Sequence, residues 1–217
     1  MNETELRSEM VRITKRLDEQ GLNRGASGNL SVRFGEGMLI TPSGMGAEGL
    51  TEDDIVFVHL DGTAHGRWHP SSEWLFHRDI YALRPEFGAI IHTHCVAATA
   101  LACLRKDIPP FHYMIALLGG DNIRCANYAT FGTQELSDNA LLALKDRKAC
   151  LLANHGMIAA DADIAGAYHN TVEVETLSEM YLHALQAGEP VLLSAQEFQD
   201  AQNRFAGYGK TAEKKDR

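Results

Sequence analysis

The stretch Gly88-Ala89-Ile90-Ile91-His92-Thr93-His94 is apolar almost to its end and then carries two histidines two residues apart. It reads as a buried strand emerging from a core. Residues two apart in a strand project from the same face, so both imidazoles can reach one ion. A second run, Leu151-Leu152-Ala153-Asn154-His155-Gly156, again takes a buried strand into a polar turn with a histidine. Working outward, helical and strand periods alternate along the whole chain. Leu6, Met10, Ile13 and Leu17 predict an amphipathic helix over 4–19 that ends at Gly21. Residues 29–34 and 38–41 flank Gly35-Glu36-Gly37 as a hairpin, and 55–60 form a strand turning at Asp61-Gly62. A helix is expected over 72–83, closed by Arg84-Pro85, then the strand 88–93 and a small-residue helix over 96–104. Further on come a helix over 133–145, strands over 149–153 and 157–160, a long helix opened by Asp161 and running to Gly188, and a last helix over 195–205. Ile164, Val172, Leu177, Tyr181 and Leu185 are among the apolar positions of the long helix. Strands interleaved with helices give an α/β layered domain. The hairpins make its sheet mixed or largely antiparallel, and no G-x-G-x-x-G or Walker-type loop supports a dinucleotide fold.

The bulk composition sets limits. The chain has 217 residues, 45% hydrophobic and 23% charged, which suits one domain with a full core, here expected over 1–217 with a charged tail from about 209. A net charge of -9 argues against nucleic-acid or anionic-membrane partners. No apolar run approaches a membrane span, and the acidic start Met1-Asn2-Glu3 is unlike a signal peptide. Cys95, Cys103, Cys125 and Cys150 form no C-x-x-C pair, and three of them sit in apolar surroundings. They read as buried thiols of a reducing compartment, so the expected location is the cytoplasm.

Three imidazoles delivered by two strand ends make a three-ligand metal site with an open position, the usual arrangement of catalytic zinc. His155 alone would be an ordinary hydrogen-bonded turn histidine. The H-x-H pair shifts the balance, since adjacent same-face imidazoles repel when protonated. His59, His65, His69, His112, His169 and His183 have no comparable context. His77 lies four residues after Glu73 and can present beside it on a helix. In Pro70-Ser71-Ser72-Glu73 one serine is expected to cap the helix, whose start is also a ready anion site. Glu73 in the first turn is then favoured in its ionised form, as a metal ligand, a base or simple dipole complementation. Arg24-Gly25-Ala26-Ser27-Gly28-Asn29 and Thr41-Pro42-Ser43-Gly44 are turns of similar character. Each alone is an ordinary turn. Three of them in an acidic chain suggest a phosphate cradled by N–H and hydroxyl donors rather than by lysines.

Taken together these residues resemble the class II aldolase/adducin family. The likeness is carried by Gly21-Leu22-Asn23, Ser27-Gly28-Asn29-Leu30-Ser31-Val32-Arg33, Gly37-Met38-Leu39-Ile40-Thr41-Pro42-Ser43-Gly44, Ser71-Ser72-Glu73-Trp74, His92-Thr93-His94 and Asn154-His155-Gly156. His112-Tyr113-Met114-Ile115-Ala116 and Tyr128-Ala129-Thr130-Phe131-Gly132-Thr133 are similar to the bacterial L-fuculose-1-phosphate aldolase branch, with relations to the 5-deoxyribulose and 5-methylthioribulose 1-phosphate aldolases. The likeness spans residues 5 to 209 or so.

The resemblance implies a three-layer α/β/α sandwich and a four-fold symmetric homotetramer with active sites between subunits. It implies a divalent ion, Zn2+ first and Mn2+ or Co2+ next, on His92, His94 and His155. Glu73 would be a fourth ligand that leaves to act as acid/base. Phosphate would lie against Gly28, Asn29, Ser43, Gly44, Ser71 and Ser72. Tyr113, reaching over from a neighbouring subunit, would be the proton donor to the aldehyde oxygen, and Tyr208 would help close the site. For both tyrosines plain packing is the alternative. Ala26 departs from the family's usual threonine, which predicts weaker phosphate binding. The implied activity is metal-dependent cleavage of a ketose 1-phosphate to dihydroxyacetone phosphate and a short aldehyde, in which the cation acts as a Lewis acid on the enediolate charge. The alternatives are a pentulose-5-phosphate 4-epimerase, against which Glu73 in place of the usual Asp counts, a methylthioribulose-1-phosphate dehydratase, and a non-catalytic adducin-type binding module.

Overall fold

A computed structural model describes residues 1–205. Tyr208 and the charged tail lie outside the described residues. Helix α1 (Glu3–Glu19) starts on a capping box in which Asn2 accepts from Glu5 N and the Glu5 carboxylate accepts from Asn2 N. Its stripe of Leu6, Met10, Ile13 and Leu17 is buried, each side chain stabilising the fold by roughly 1.5–3 kcal/mol. The hairpin of β1 (Asn29–Phe34) and β2 (Gly37–Ile40) follows, then β3 (Val56–His59) and the short β4 (Ala64–His65). Next come α2 (Trp74–Leu83), β5 (Ala89–Thr93), α3 (Val96–Ala102) and a 3-10 helix over Tyr113–Leu118. The chain continues through β6 (Cys125–Ala126), α4 (Gln134–Ala143), β7 (Ala149–Leu152), β8 (Gly156–Asp161), α5 (Ile164–Ala187) and α6 (Ala195–Phe205).

All eight strands form one sheet in the order β4-β3-β2-β1-β5-β8-β7-β6. Only β6–β7 is parallel, as expected for a mixed, largely antiparallel sheet. The alternation along each strand feeds two cores. Leu30, Leu39, Ile91, Leu151 and Ala159 face α1, α3 and α5, whereas Met38, Ile40, Val58, Ile90 and Ile158 face Phe76 and Ile80 of α2 and Leu136 of α4. Helices on both faces make this an α/β/α sandwich, and a sheet covered on both sides explains the almost continuous apolar runs of β5 and β7.

Several expectations are corrected. The N-cap of α2 is Glu73 itself, not Ser71 or Ser72, and its side chain makes no cap hydrogen bond because it turns to the histidines. The Ser71 hydroxyl instead accepts from Glu73 N at 3.3 Å. Asp163, not Asp161, caps α5, accepting from Gly166 N. Asp161 ends β8 and holds Lys148 Nζ at 2.9 Å and Asn170 Nδ2 at 2.8 Å. Strands β4 and β6 were not expected, being two residues long and without alternation of their own. Two cysteines rather than three are buried, Cys95 and Cys150; Cys125 is half-buried, Cys103 is exposed, and all four are free thiols. On α5, Ile164 and Leu177 are buried, but Leu185 is 43% exposed.

Candidate metal centre and active site

His92 comes from the last turns of the pleat of β5, His94 from just beyond it, and His155 from the turn between β7 and β8. Strand β8 lies between β5 and β7, and that adjacency brings the turn to the H-x-H pair. The turn is shaped by Asn154, whose φ of 53° is left-handed, a region that Asn enters more readily than most residues. Gly156 is required for close approach: a Cβ there would stand 2.4 Å from the Thr93 carbonyl oxygen and 2.9 Å from His94 Cδ2. His92 is fully buried, and its Nδ1–H donates to the Met157 carbonyl at 2.9 Å. That bond fixes the tautomer and leaves Nε2 with a lone pair. His92 Nε2 lies 3.0 Å from His94 Nε2. The three rings stand edge to face in a triangle with centroid separations of 4.9, 4.8 and 4.9 Å.

Glu73 completes the cluster from the start of α2. Its Oε2 is 3.1 Å from His92 Nε2, and its Oε1 is 3.2 Å from His155 Nε2. Burial alone would raise the Glu73 carboxyl, but positive charge at His92 and then His155, with a hydrogen bond from Asn29, holds it at about 2. Burial and the neighbouring His92 press His155 down to about 4 and shift His94 in the same direction, so both are neutral ligands at pH 7. These demands conflict unless something other than protons supplies positive charge between the imidazoles and the carboxylate. A divalent cation does so. Glu73 Oε1 supports the same conclusion, being a buried carboxylate oxygen with no hydrogen-bond partner. The ligand atoms of His92, His94 and His155 all fall within 4.8 Å of one another, so small side-chain adjustments bring them onto one metal at about 2.0–2.1 Å. The donor set fits a divalent ion.

The cluster opens into a cavity of about 300 Å³. Gly28, Asn29, Ser43, Gly44, Ser71 and Ser72 all line it, together with Glu73, His94 and His155. The three small-residue turns therefore meet in space although they are separated in the chain. Gly28 has φ 72°, and a Cβ on it would stand 2.6 Å from the His92 carbonyl oxygen, so the first turn presses directly on the metal strand. Ala26 also lines the cavity, and among the described residues no Lys or Arg does. Tyr113 does not line it: its ring stacks on Phe205, 6.0 Å between centroids, and is 51% exposed. His77 is no ligand. It is fully buried, held by Asn29 and Ser31, and pushed down to about 3 by burial. Tyr128 and Phe131 stand at the cavity rim, 50% and 63% exposed. Individual reading of the residues did not single them out, because exposure of an aromatic leaves no local signal.

The family model for the class II aldolase and adducin N-terminal domain matches residues 8–182. The chain belongs to the class II aldolase and adducin family. Members named for aldolase activity are similar over nearly the full length. A 5-methylthioribulose-1-phosphate/5-deoxyribulose-1-phosphate aldolase of Rhodospirillum rubrum is 50% identical, covering 96% of this chain and 94% of that protein. An L-fuculose phosphate aldolase of Escherichia coli K12 is 44% identical, covering 96% and 98%. A solved L-fuculose 1-phosphate aldolase superposes with a TM-score of 0.90 at 41% identity, over 93% of this chain and 96% of that one. As a class II aldolase the chain is a metal-dependent lyase, and its triad of histidines is the group able to hold the ion.

Proposed function

We propose that this class II aldolase cleaves a ketose 1-phosphate to dihydroxyacetone phosphate and a short aldehyde, with the metal on His92, His94 and His155. The observation that carries the reading is the convergence of the three imidazoles and Glu73, with His94, His155 and Glu73 lining a cavity whose walls are turns rich in N–H and hydroxyl donors. The relatives support the substrate class, since the fuculose and pentulose substrates in their names are both phosphorylated sugars.

The residues divide the work by position. The turns at Gly28-Asn29, Ser43-Gly44 and Ser71-Ser72 hold the phosphate by neutral donors, which anchors C1 at one end of the cavity. A divalent ion, Zn2+ by its match to three imidazoles with an open position, supplies Lewis-acid stabilisation of the negative charge released when C3–C4 breaks. Glu73, at the cavity floor and ionised at rest, takes up a proton from solvent and delivers it to C3, and the proton given up by the C4 hydroxyl balances it. Tyr113 of a neighbouring subunit handles the proton on the C4 oxygen, and its distance from the cavity of its own chain supports a role across an interface. The assembly is accordingly a homotetramer with active sites between subunits, with Tyr208 closing them. The single continuous sheet supports one domain over 1–217. The free cysteines support a cytoplasmic location, and no described helix is long and apolar enough to cross a membrane.

The test is a coupled assay for dihydroxyacetone phosphate with L-fuculose, 5-deoxyribulose, 5-methylthioribulose and ribulose 1-phosphates, with and without chelator. Glu73→Gln is expected to bind metal and lose nearly all turnover. Undiminished turnover removes Glu73 as the acid/base, and no product from any of the four substrates rejects the aldolase assignment.

A further inference from the structure

Behind the cavity lies a row of buried side chains that reaches it at one point, Asn29. Asn29 Nδ2 donates to Glu73 Oε2 at 3.0 Å. A carboxylate only accepts, so the amide nitrogen has to face it and the amide oxygen has to face away. There Asn29 Oδ1 sits 2.5 Å from His77 Nε2. An amide oxygen only accepts as well, so His77 carries its proton on Nε2. A fully buried imidazole hydrogen-bonded to no carboxylate is neutral, which leaves Nδ1 as an acceptor. Ser31 Oγ, 2.7 Å away, then donates to Nδ1 and itself accepts from the Tyr81 hydroxyl at 2.9 Å. Every proton in the row points the same way, toward Glu73. Phe76 stacks on the His77 ring at 4.6 Å and 25°, so the ring cannot turn to exchange its nitrogens.

We propose that Tyr81, Ser31 and His77 are positioning residues for Glu73, forming a one-way donor chain that keeps the NH2 of Asn29 against the carboxylate. The proposal rests on the reading of Glu73 as the acid/base. If His77 took the other tautomer, its Nε2 lone pair would meet Asn29 Oδ1. Relieving that clash by rotating the amide would put a carbonyl oxygen against the carboxylate, leaving two buried acceptors facing each other. Glu73 would then leave its place beside His92 and His155. None of the three residues lines the cavity, so each reaches the site only through Asn29 and Glu73.

Two measurements test the chain. In wild-type protein labelled with 15N-histidine, long-range proton–nitrogen correlation is expected to show His77 neutral and protonated on Nε2; the Nδ1–H form or an imidazolium overturns the proposal. In kinetics, His77→Leu is expected to lower kcat about 10–100-fold while KM moves less than about threefold, the size of effect typical of a residue that orients a metal-site group. His77→Gln places an amide N–H where Nε2–H was and is expected to recover most of kcat. Equal losses in both variants, or a loss explained by released metal, overturn it. Should His77→Leu fail to fold, Ser31→Ala takes its place: it removes the donor to His77 Nδ1 and is expected to lower kcat while KM moves less than about threefold; an unchanged kcat overturns the chain. Absence of any turnover by wild-type protein would reject the aldolase reading instead, since the tautomer is read without substrate.

Discussion

Replacing Gly156 with Ala tests whether close backbone approach is what brings the three imidazoles together. Gly156 opens β8 directly after His155. The added Cβ would lie 2.4 Å from the Thr93 carbonyl oxygen, 2.9 Å from His94 Cδ2 and 3.2 Å from His92 Cε1. The first obstacle is backbone at the end of the β5–β8 pairing, where Thr93 is registered with Met157, so it does not yield as a flexible side-chain tip would. Overpacking of this kind costs about 1–3 kcal/mol. For a chain of about this size each kcal/mol lowers Tm by roughly 2–4 °C, so the expected drop is roughly 2–12 °C. The ligands move as well, because two of the three contacts are imidazole carbons. Displacing them by more than about 0.5 Å takes a site out of productive geometry. Metal affinity is therefore expected to fall about 10–100-fold, with turnover following occupancy at low metal. The assay is metal titration followed by atomic emission, with calorimetric melting and dihydroxyacetone phosphate release measured on the same samples. Gly49→Ala is the control, since nothing lies within 4 Å of its added Cβ. A Gly156→Ala protein with wild-type Tm and wild-type metal affinity would refute the steric reasoning.

Dialysis against a chelator is expected to abolish cleavage, and readdition of Zn2+, Mn2+ or Co2+ in parallel should rank the ions; activity that survives complete metal removal would contradict the metal centre. Ala26→Thr restores a hydroxyl to the turn lining the cavity and is expected to lower KM for a ketose 1-phosphate several-fold to about tenfold with little change in kcat, since a hydrogen bond to a charged group contributes roughly 1.5–3 kcal/mol at most. A KM that does not fall would place the phosphate elsewhere. Asp163→Ala removes the side chain that caps α5 by accepting from Gly166 N at 2.8 Å. It is expected to cost about 1 kcal/mol, or roughly 2–4 °C in Tm, and to leave turnover intact.

Periodic segments were legible without the structure. The α1 stripe and α6 fall where a 3.6-residue period puts them, because burial of one face leaves that period in the sequence, and the hairpin strands were legible from the Gly35-Glu36-Gly37 turn between them. Boundaries set by side-chain chemistry were not. Asp161 and Asp163 are both plausible caps two residues apart, and only the pairing of β8 with Lys148 and Asn170 shows that the first belongs to the strand. Glu73 reads as a dipole-complementing residue until its carboxylate is seen turned away from the helix toward His92 and His155.

That His92 and His94 share a face follows from their spacing alone, which matches the period of a strand, and the joint motifs pointed to the family. Which distant residues meet depends on how the strands are ordered in the folded sheet. The order β2-β1-β5-β8-β7 carries the turns at Gly28, Ser43, Ser71 and His155 to one end of the sheet, and no local pattern encodes strand order. The donor chain from Tyr81 to Glu73 is likewise invisible in the sequence. It crosses from α2 to β1 and back, and its direction follows from hydrogen-bond partners that exist only once the helix packs on the sheet.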